Sequence, residues 1–130
     1  MSETDYNQDE ESGNDIDVKF KVNVSSLNAF DVEKRVNCVI TVKRIYIYQN
    51  DKLKRAHWIS KVRGIVVSTK TSEMLIALPF KDLRLRGLSE EKANEIYAFL
   101  QETYAGLKER KTLKHCYRVP DEALKDYYVN

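Results

Sequence analysis

Three basic side chains stand together near the middle of the sequence, and their chemistry is that of anion binding. Lys52, Lys54 and Arg55 follow the turn-forming residues Gln49-Asn50-Asp51. A guanidinium can hold a phosphate through two parallel hydrogen bonds, whereas an ammonium acts as a mobile point charge. The cluster could therefore form half of an anion site. The same charges would also keep a loop solvated, so both interpretations remain open at this point.

The positive charge of the chain is concentrated in one segment. The 130 residues carry a net charge of +2. Residues 1–17 contain seven acids and no base, whereas residues 18–86 contain 15 Lys or Arg against 5 Asp or Glu. A basic domain of this kind attracts polyanions, which include anionic membranes, nucleic acids and acidic protein segments.

Catalytic and metal-binding arrangements are not evident in the sequence. His57 and His115 lie in separate contexts, and neither has a serine, cysteine or acid at the spacing of a recognisable triad. The chain has only four glycines and no glycine-rich phosphate loop. Cys38 and Cys116 lack the spacing of a metal site or of a disulfide framework. We therefore expect no enzymatic activity, no cofactor and no metal.

Composition also limits the partners and the compartment. No stretch approaches the roughly 18 consecutive apolar residues of a transmembrane segment, and the acidic N-terminus is unlike a secretory signal. Eight tyrosines in a basic chain could stack on single-stranded nucleic acid, but the isoelectric point of about 8.4 is low for such domains. Nucleic acid is thus not an expected partner, and a cytoplasmic location with free thiols is expected.

Alternation of apolar and polar residues predicts a series of strands. Within residues 16–24 an apolar side chain recurs at every second position, with Lys19, Lys21 and Asn23 between them. This pattern is typical of a strand that buries one face. We predict seven strands, at residues 16–24, 35–42, 44–49, 54–60, 62–69, 73–79 and 81–87.

The alternation also assigns a direction to individual side chains on the later strands. Trp58 is expected to point inward, with His57 beside it pointing outward. Arg84 and Arg86 alternate with leucines on the last strand and are expected to be surface charges.

One amphipathic helix is predicted after the strands. Ser89 is a favourable N-cap, and Glu90 and Glu91 would lie in the first turn, where the helix dipole favours negative charge. Apolar residues then recur at spacings of three and four, which predicts a helix over residues 90–108 with one apolar stripe.

The order of these elements predicts the fold class and the domain organisation. Because no helix lies between strands, parallel βαβ folds and the RNA-recognition fold are disfavoured, and short connections require antiparallel neighbours. We predict a mainly β fold, a seven-stranded antiparallel β-barrel or sandwich capped by one C-terminal α-helix. It would span residues 16–108, preceded by a disordered acidic tail over residues 1–15 and followed by a C-terminal extension, residues 109–130, that could dock on the domain.

Several short motifs within residues 18–107 carry a family resemblance. They are Val39-Ile40-Thr41, Ile45-Tyr46-Ile47-Tyr48, Lys52-Leu53-Lys54-Arg55, Ile59-Ser60-Lys61-Val62 and Gly64-Ile65-Val66-Val67-Ser68. With the order of elements, they resemble the pleckstrin-homology superfold, most closely its variant in the tail-homology domain of class I myosins. The resemblance implies a non-enzymatic membrane-targeting or adaptor domain that binds anionic phospholipids, phosphoinositides in particular.

The resemblance also implies where the anion would bind. In this superfold the loops after the first, third and sixth strands form the open end of the barrel, where related domains hold phosphates. The basic residues assigned to this site are Lys21, Lys34, Arg35, Lys52, Lys54, Arg55 and Lys81. Peripheral association with a membrane or with the cytoskeleton would follow. The alternative is a protein–protein interaction scaffold that uses the groove between the closing helix and the fifth strand, or the C-terminal extension, without lipid binding.

Overall fold

A computed structural model of the protein describes residues 18–28, 30–122 and 124. The acidic tail predicted over residues 1–15 therefore lies outside the described residues. The described chain forms eight strands and one α-helix: β1 (Val18–Leu27), β2 (Glu33–Thr41), β3 (Arg44–Gln49), β4 (Lys52–Trp58), β5 (Gly64–Ser68), β6 (Met74–Ala77), β7 (Leu83–Arg86), α1 (Glu90–Leu107) and β8 (His115–Val119). A short 3-10 helix, Ile59–Lys61, connects β4 to β5.

The strands form one continuous sheet in the order β4-β3-β2-β1-β7-β6-β5-β8. Strands that follow each other in sequence pair antiparallel from β1 to β4 and from β5 to β7. The two halves are joined because residues 25–27 of β1 also pair antiparallel with residues 84–86 of β7. The predicted mainly β fold with a C-terminal helix is confirmed. The eighth strand, which pairs parallel to β5, was not predicted from the sequence.

Both halves of the sheet and the helix contribute to one apolar core. Ile40 of β2, Ile65 of β5 and Leu100 of α1 are fully buried in the same cluster. Burying an aliphatic side chain of this size stabilises the fold by about 1.5–3 kcal/mol relative to leaving it exposed. The shared core therefore holds the two halves in a barrel- or sandwich-like arrangement, with β4 and β8 at the edges of the sheet.

The helix α1 begins where the sequence predicts. The Ser89 hydroxyl oxygen accepts a hydrogen bond from the backbone N–H of Lys92 at 3.0 Å, which satisfies one of the free donors of the first turn. The buried residues of the helix lie at the predicted spacing; they are Ala93, Ile96, Tyr97 and Leu100. The helix ends at Leu107, one residue before the predicted end.

The described part of the C-terminal extension lies along β5 and the helix. All five residues of β8 pair with the five residues of β5. The Arg118 guanidinium lies 4.4 Å from the centroid of the Tyr97 ring and donates to the side chain of Asn94, so β8 also contacts α1. Further along, Leu124 is fully buried in a second apolar cluster with Val66, Leu75 and Ala77. β8 therefore occupies the outer edge of β5 and contacts the helix, whereas Leu124 packs on the sheet in the separate cluster.

A buried ion pair joins Arg84 of β7 to Glu73, the residue before β6, and Arg84 also reaches the loop between β1 and β2. Glu73 and Arg84 are 0% and 3% exposed, and Arg84 donates to one Glu73 oxygen through Nε at 3.1 Å and Nη2 at 2.9 Å. The Nη1 atom of Arg84 donates to Oδ1 of Asp31 at 2.9 Å. The expectation that Arg84 lies at the surface is therefore wrong, because β7 is an interior strand of the sheet and Glu73 supplies a counter-charge. Arg86 is partly exposed, and it donates to the other Glu73 oxygen at 3.0 Å.

Candidate anion-binding pocket

A pocket of about 320 Å³ opens between the β1–β2, β3–β4 and β6–β7 connections. Four basic residues border it: Lys34 at the start of β2, Lys54 and Arg55 on β4, and Lys81 in the β6–β7 loop. None of the described residues that line it is acidic. A concave, positively charged site of this kind can accept an anion, with each lysine contributing a mobile charge.

The β3–β4 hairpin brings two successive basic residues to the pocket. Asn50 and Asp51 have φ of 53° and 65°, the left-handed values that a two-residue hairpin turn requires and that these residue types tolerate. Ile47 pairs with Arg55 and Tyr48 with Leu53, so Lys54 is left as the extra residue of a β-bulge. Such bulges bend a strand and redirect its side chains, which explains how neighbouring residues of β4 border one pocket.

Arg55 borders the pocket, but its guanidinium also donates hydrogen bonds to the backbone of the protein. Its Nη2 atom donates to the carbonyl oxygen of Lys81 at 2.6 Å and its Nη1 atom to that of Asp82 at 3.4 Å. Burial lowers the pKa of Arg55 from its ordinary value, and the nearby Asp82 carboxylate opposes that shift. Arg55 therefore braces the β6–β7 loop that carries Lys81.

The β1–β2 loop is braced in a similar way. The side-chain oxygen of Asn28 accepts hydrogen bonds from the backbone N–H groups of Phe30 at 2.8 Å and Val32 at 3.0 Å. The buried Arg84 donates to the carbonyl oxygen of Asn28 at 3.0 Å and also to Asp31. Asp31 has a φ of 63°, which the loop stabilises through these contacts. Each of these two loops, which form walls of the pocket, is thus held by hydrogen bonds from an arginine: Arg55 for the β6–β7 loop and Arg84 for the β1–β2 loop.

The other three basic residues assigned from the sequence lie outside this pocket. Lys34 pairs with Ser26 and Arg35 with Ser25 across β1 and β2, and successive strand residues point to opposite faces. Arg35 accordingly donates to the Ser25 hydroxyl at 3.3 Å and borders a separate pocket that includes the β3–β4 turn. Lys52 is exposed opposite Gln49, and Lys21 is exposed in the middle of β1.

Three polar residues of the pocket were not identified from the sequence. Ser26, Asn28 and Gln49 line it together with the basic side chains. Their hydroxyl and amide groups can donate or accept hydrogen bonds. The only sequence signal for them is their position at the ends of the predicted strands β1 and β3.

The directions expected for His57 and Trp58 are reversed. His57 pairs with Ile45, whose side chain is in the core, and its Nε2 atom is buried without a hydrogen-bond partner among the described residues. Burial lowers the pKa of His57 to about 4, with a further contribution from the Arg55 charge. Trp58 is 46% exposed, and the Arg44 guanidinium lies 3.7 Å from the centroid of its ring. Neither residue borders the pocket.

Within the described part of the chain, no helix is long and apolar enough to cross a membrane. The same residues contain no group of three His, Cys, Asp or Glu side chains arranged to hold a metal ion.

Comparison with known proteins shows the fold. No protein-family model and no curated protein sequence matches the chain. Among solved structures, the N-terminal PH domain of human ARAP2 superimposes with a TM-score of 0.63 at 15% sequence identity, covering 74% of this chain and 86% of that domain. The C-terminal PH domain of human FGD3 gives a TM-score of 0.56 at 11% identity, covering 68% and 88%.

Longer structures match over one part only. The DH/PH domain of human ARHGEF11, in a complex with RhoA, gives a TM-score of 0.58 at 12% identity, and the match covers 68% of this chain but 29% of that one. The chain therefore has a pleckstrin-homology-like fold, as the sequence motifs predict.

Proposed function

We propose that this chain is a non-enzymatic membrane-targeting domain that binds the headgroups of anionic phospholipids, phosphoinositides in particular, in the pocket between the β1–β2, β3–β4 and β6–β7 connections. The observation that carries the proposal is the convergence of Lys34, Lys54, Arg55 and Lys81 on one concavity whose described lining has no acidic residue. Phosphate oxygens are the ligands that such a set of donors favours.

The expected affinity follows from the number of charges. A basic residue near an anionic membrane contributes about 1 kcal/mol, and the attraction falls off within a Debye length. Four such residues would contribute about 4 kcal/mol, which is about a thousandfold in partitioning. Membrane binding should therefore weaken as salt is raised, because exposed charges are screened.

The remaining basic residues are assigned a weaker role. Arg35 and Lys52 lie near the β3–β4 turn, and Lys21 is exposed on β1. We assign them to diffuse attraction toward an anionic surface. Within the pleckstrin-homology-like fold, the closer likeness to the tail-homology domain of class I myosins stays a prediction.

An adaptor function that uses the groove between the helix and the fifth strand finds less support. An added peptide strand needs the free edge of a sheet. The edge of β5 is occupied by β8, and Arg118 ties β8 to the helix. A protein ligand at this place would first have to displace the chain's own C-terminal segment.

Co-sedimentation with phospholipid vesicles tests the proposal. Vesicles of phosphatidylcholine alone, with added phosphatidylserine, and with added phosphoinositide would be compared at low and near-physiological salt. The Lys34→Ala/Lys54→Ala variant should bind the anionic vesicles about thirtyfold more weakly, because two contributions of about 1 kcal/mol each are lost.

A matched control variant has the same change of charge away from the pocket. Lys61 and Lys70 are exposed in the β4–β5 and β5–β6 connections and do not line the pocket. The Lys61→Ala/Lys70→Ala variant should keep most of the binding. Equal losses in the two double variants would refute the pocket as the site, and an absence of binding by the unaltered chain to every anionic vesicle would refute the function.

A further inference from the structure

Large apolar side chains are exposed on the two loops that wall the basic pocket. Phe30 in the β1–β2 loop is 85% exposed, and Phe80 in the β6–β7 loop is fully exposed. Val32, which itself lines the pocket, is 53% exposed. Phe80 immediately precedes the pocket residue Lys81, and Phe30 lies between the pocket residues Asn28 and Val32. The basic concavity is therefore flanked by an aromatic residue on either side.

Hydrogen bonds hold the two loops that expose these side chains. The backbone N–H of Phe30 is bound by the Asn28 side chain, and Arg84 holds the same loop through the Asn28 carbonyl. On the other side, Arg55 holds the carbonyl of Lys81, next to Phe80, and the side chain of Asp82 accepts from the N–H of Leu78. Each loop is thus fixed in a shape that holds its phenylalanine in water.

A lipid bilayer is the occupant that fits both features together. A soluble phosphate compound would use the charges of the pocket but not the two aromatic side chains. The interface of an anionic bilayer offers phosphates at the level of the headgroups and apolar surface just beneath, and aromatic and basic residues together favour this region. Two separated projections beside a concavity suit insertion between lipids, since each side chain can enter the bilayer independently.

We propose that Phe30 and Phe80 insert into the interfacial region of an anionic bilayer while the pocket between them holds a headgroup. The inference rests on the proposed function and adds to it that two aromatic side chains enter the bilayer beside the bound headgroup. Burying an exposed phenylalanine is favourable by an amount that corresponds to about tenfold or more in partitioning. Removing both should therefore weaken vesicle binding about a hundredfold.

The test compares two probes, phosphatidylcholine vesicles containing phosphoinositide and soluble inositol hexakisphosphate. The Phe30→Ala/Phe80→Ala variant should bind inositol hexakisphosphate as the unaltered chain does, measured by calorimetry, and should lose vesicle binding. Both side chains are exposed, so the fold should tolerate their removal. Leu107→Ala, a change at an exposed apolar residue that lies at the end of α1, is the matched control and should retain vesicle binding.

Insertion also has a direct spectroscopic readout. Trp58 is the only tryptophan, so a Trp58→Phe/Phe80→Trp variant reports on position 80 alone. Its emission should shift to the blue with phosphoinositide vesicles and be quenched by brominated lipids, and inositol hexakisphosphate should produce neither effect.

The outcomes separate this inference from the proposed function. Full vesicle binding by the phenylalanine variant would overturn insertion and leave headgroup binding standing. Parallel loss of vesicle and inositol hexakisphosphate binding by that variant would also overturn insertion, because the side chains would then act on the pocket. An unaltered chain that binds inositol hexakisphosphate but no vesicle would overturn both insertion and membrane targeting and would indicate a soluble ligand. One that binds neither probe would refute the proposed function, and the inference with it.

Discussion

The buried ion pair between Glu73 and Arg84 makes a sharp prediction about stability. Arg84→Met keeps much of the side-chain volume but removes the guanidinium that donates twice to the Glu73 carboxylate, which is 0% exposed. Breaking a buried pair by removing one partner typically costs about 3–5 kcal/mol, because a charge is left without compensation. Arg86 and the backbone N–H of Leu124 still donate to Glu73, so we expect the lower end, about 3 kcal/mol.

Urea denaturation followed by tryptophan fluorescence would measure the loss, and Arg86→Met is the matched control. Arg86 lies two residues further on the same strand and pairs with the same carboxylate, but its side chain is 38% exposed. Because Arg86 is partly exposed and Arg84 still neutralises Glu73 in this variant, the control should lose far less. Glu73→Gln combined with Arg84→Met should cost less than the sum of the two single changes, because the double variant has no buried charge at this position. Equal losses for the two arginine variants, or strict additivity in the double variant, would refute this account.

Three further outcomes are expected. Burial lowers the pKa of His57 to about 4 from an ordinary 6.5, so the unfolded chain binds more protons between these values and stability falls as the pH is lowered through that window; His57→Gln should flatten this part of the profile of urea midpoint against pH. Leu124→Ala should lower the free energy of unfolding by about 2–5 kcal/mol in urea, because it empties a fully buried site. Burial raises the pKa of Cys38 to about 12, so iodoacetamide should modify the half-buried Cys116 first, as peptide mass spectrometry would show.

Each of these outcomes has a clear contrary result. An unchanged pH profile after the His57 substitution would mean that other groups control the acid limb. A loss below about 1 kcal/mol for Leu124→Ala, the range typical of surface changes, would mean that the C-terminal segment is not docked in solution. Modification of Cys38 at the same rate as Cys116 in the native protein would contradict the burial of β2.

Periodicity predicted the fold where burial follows hydrophobicity. The alternation in residues 16–24 and the spacing of apolar residues after Ser89 gave β1 and α1 within a few residues of their described bounds. It missed β8 because most residues of that edge strand are exposed, so its sequence has no apolar face to repeat. Parallel pairing with β5 also joins residues about fifty positions apart, and no local pattern reports such a contact.

The candidate site was predictable in position but not in the roles of its residues. The family resemblance assigned seven basic residues to this end of the barrel; the pocket lining brings together Lys34, Lys54, Arg55 and Lys81 and leaves the other three outside. Hydrophobicity could not show that Arg55 and His57 are the inward residues of β4, because Ala56 and Trp58 are more apolar. Register decides the direction: cross-strand partners share a face, and His57 pairs with Ile45 of the core.

Two arginines, Arg55 and Arg84, brace the loops that carry both the charges of the pocket and the exposed aromatic side chains beside it. Arg55 donates to two main-chain carbonyls of the β6–β7 loop and Arg84 to one of the β1–β2 loop, so both loops hold their shape before any ligand arrives. Binding then costs less conformational entropy than it would with free loops. Arg55→Met should accordingly weaken binding of inositol hexakisphosphate and of vesicles together, since the pocket loses one charge and a loosened β6–β7 loop misplaces Lys81 as well as Phe80. Loss of vesicle binding alone would assign Arg55 no part in shaping the pocket.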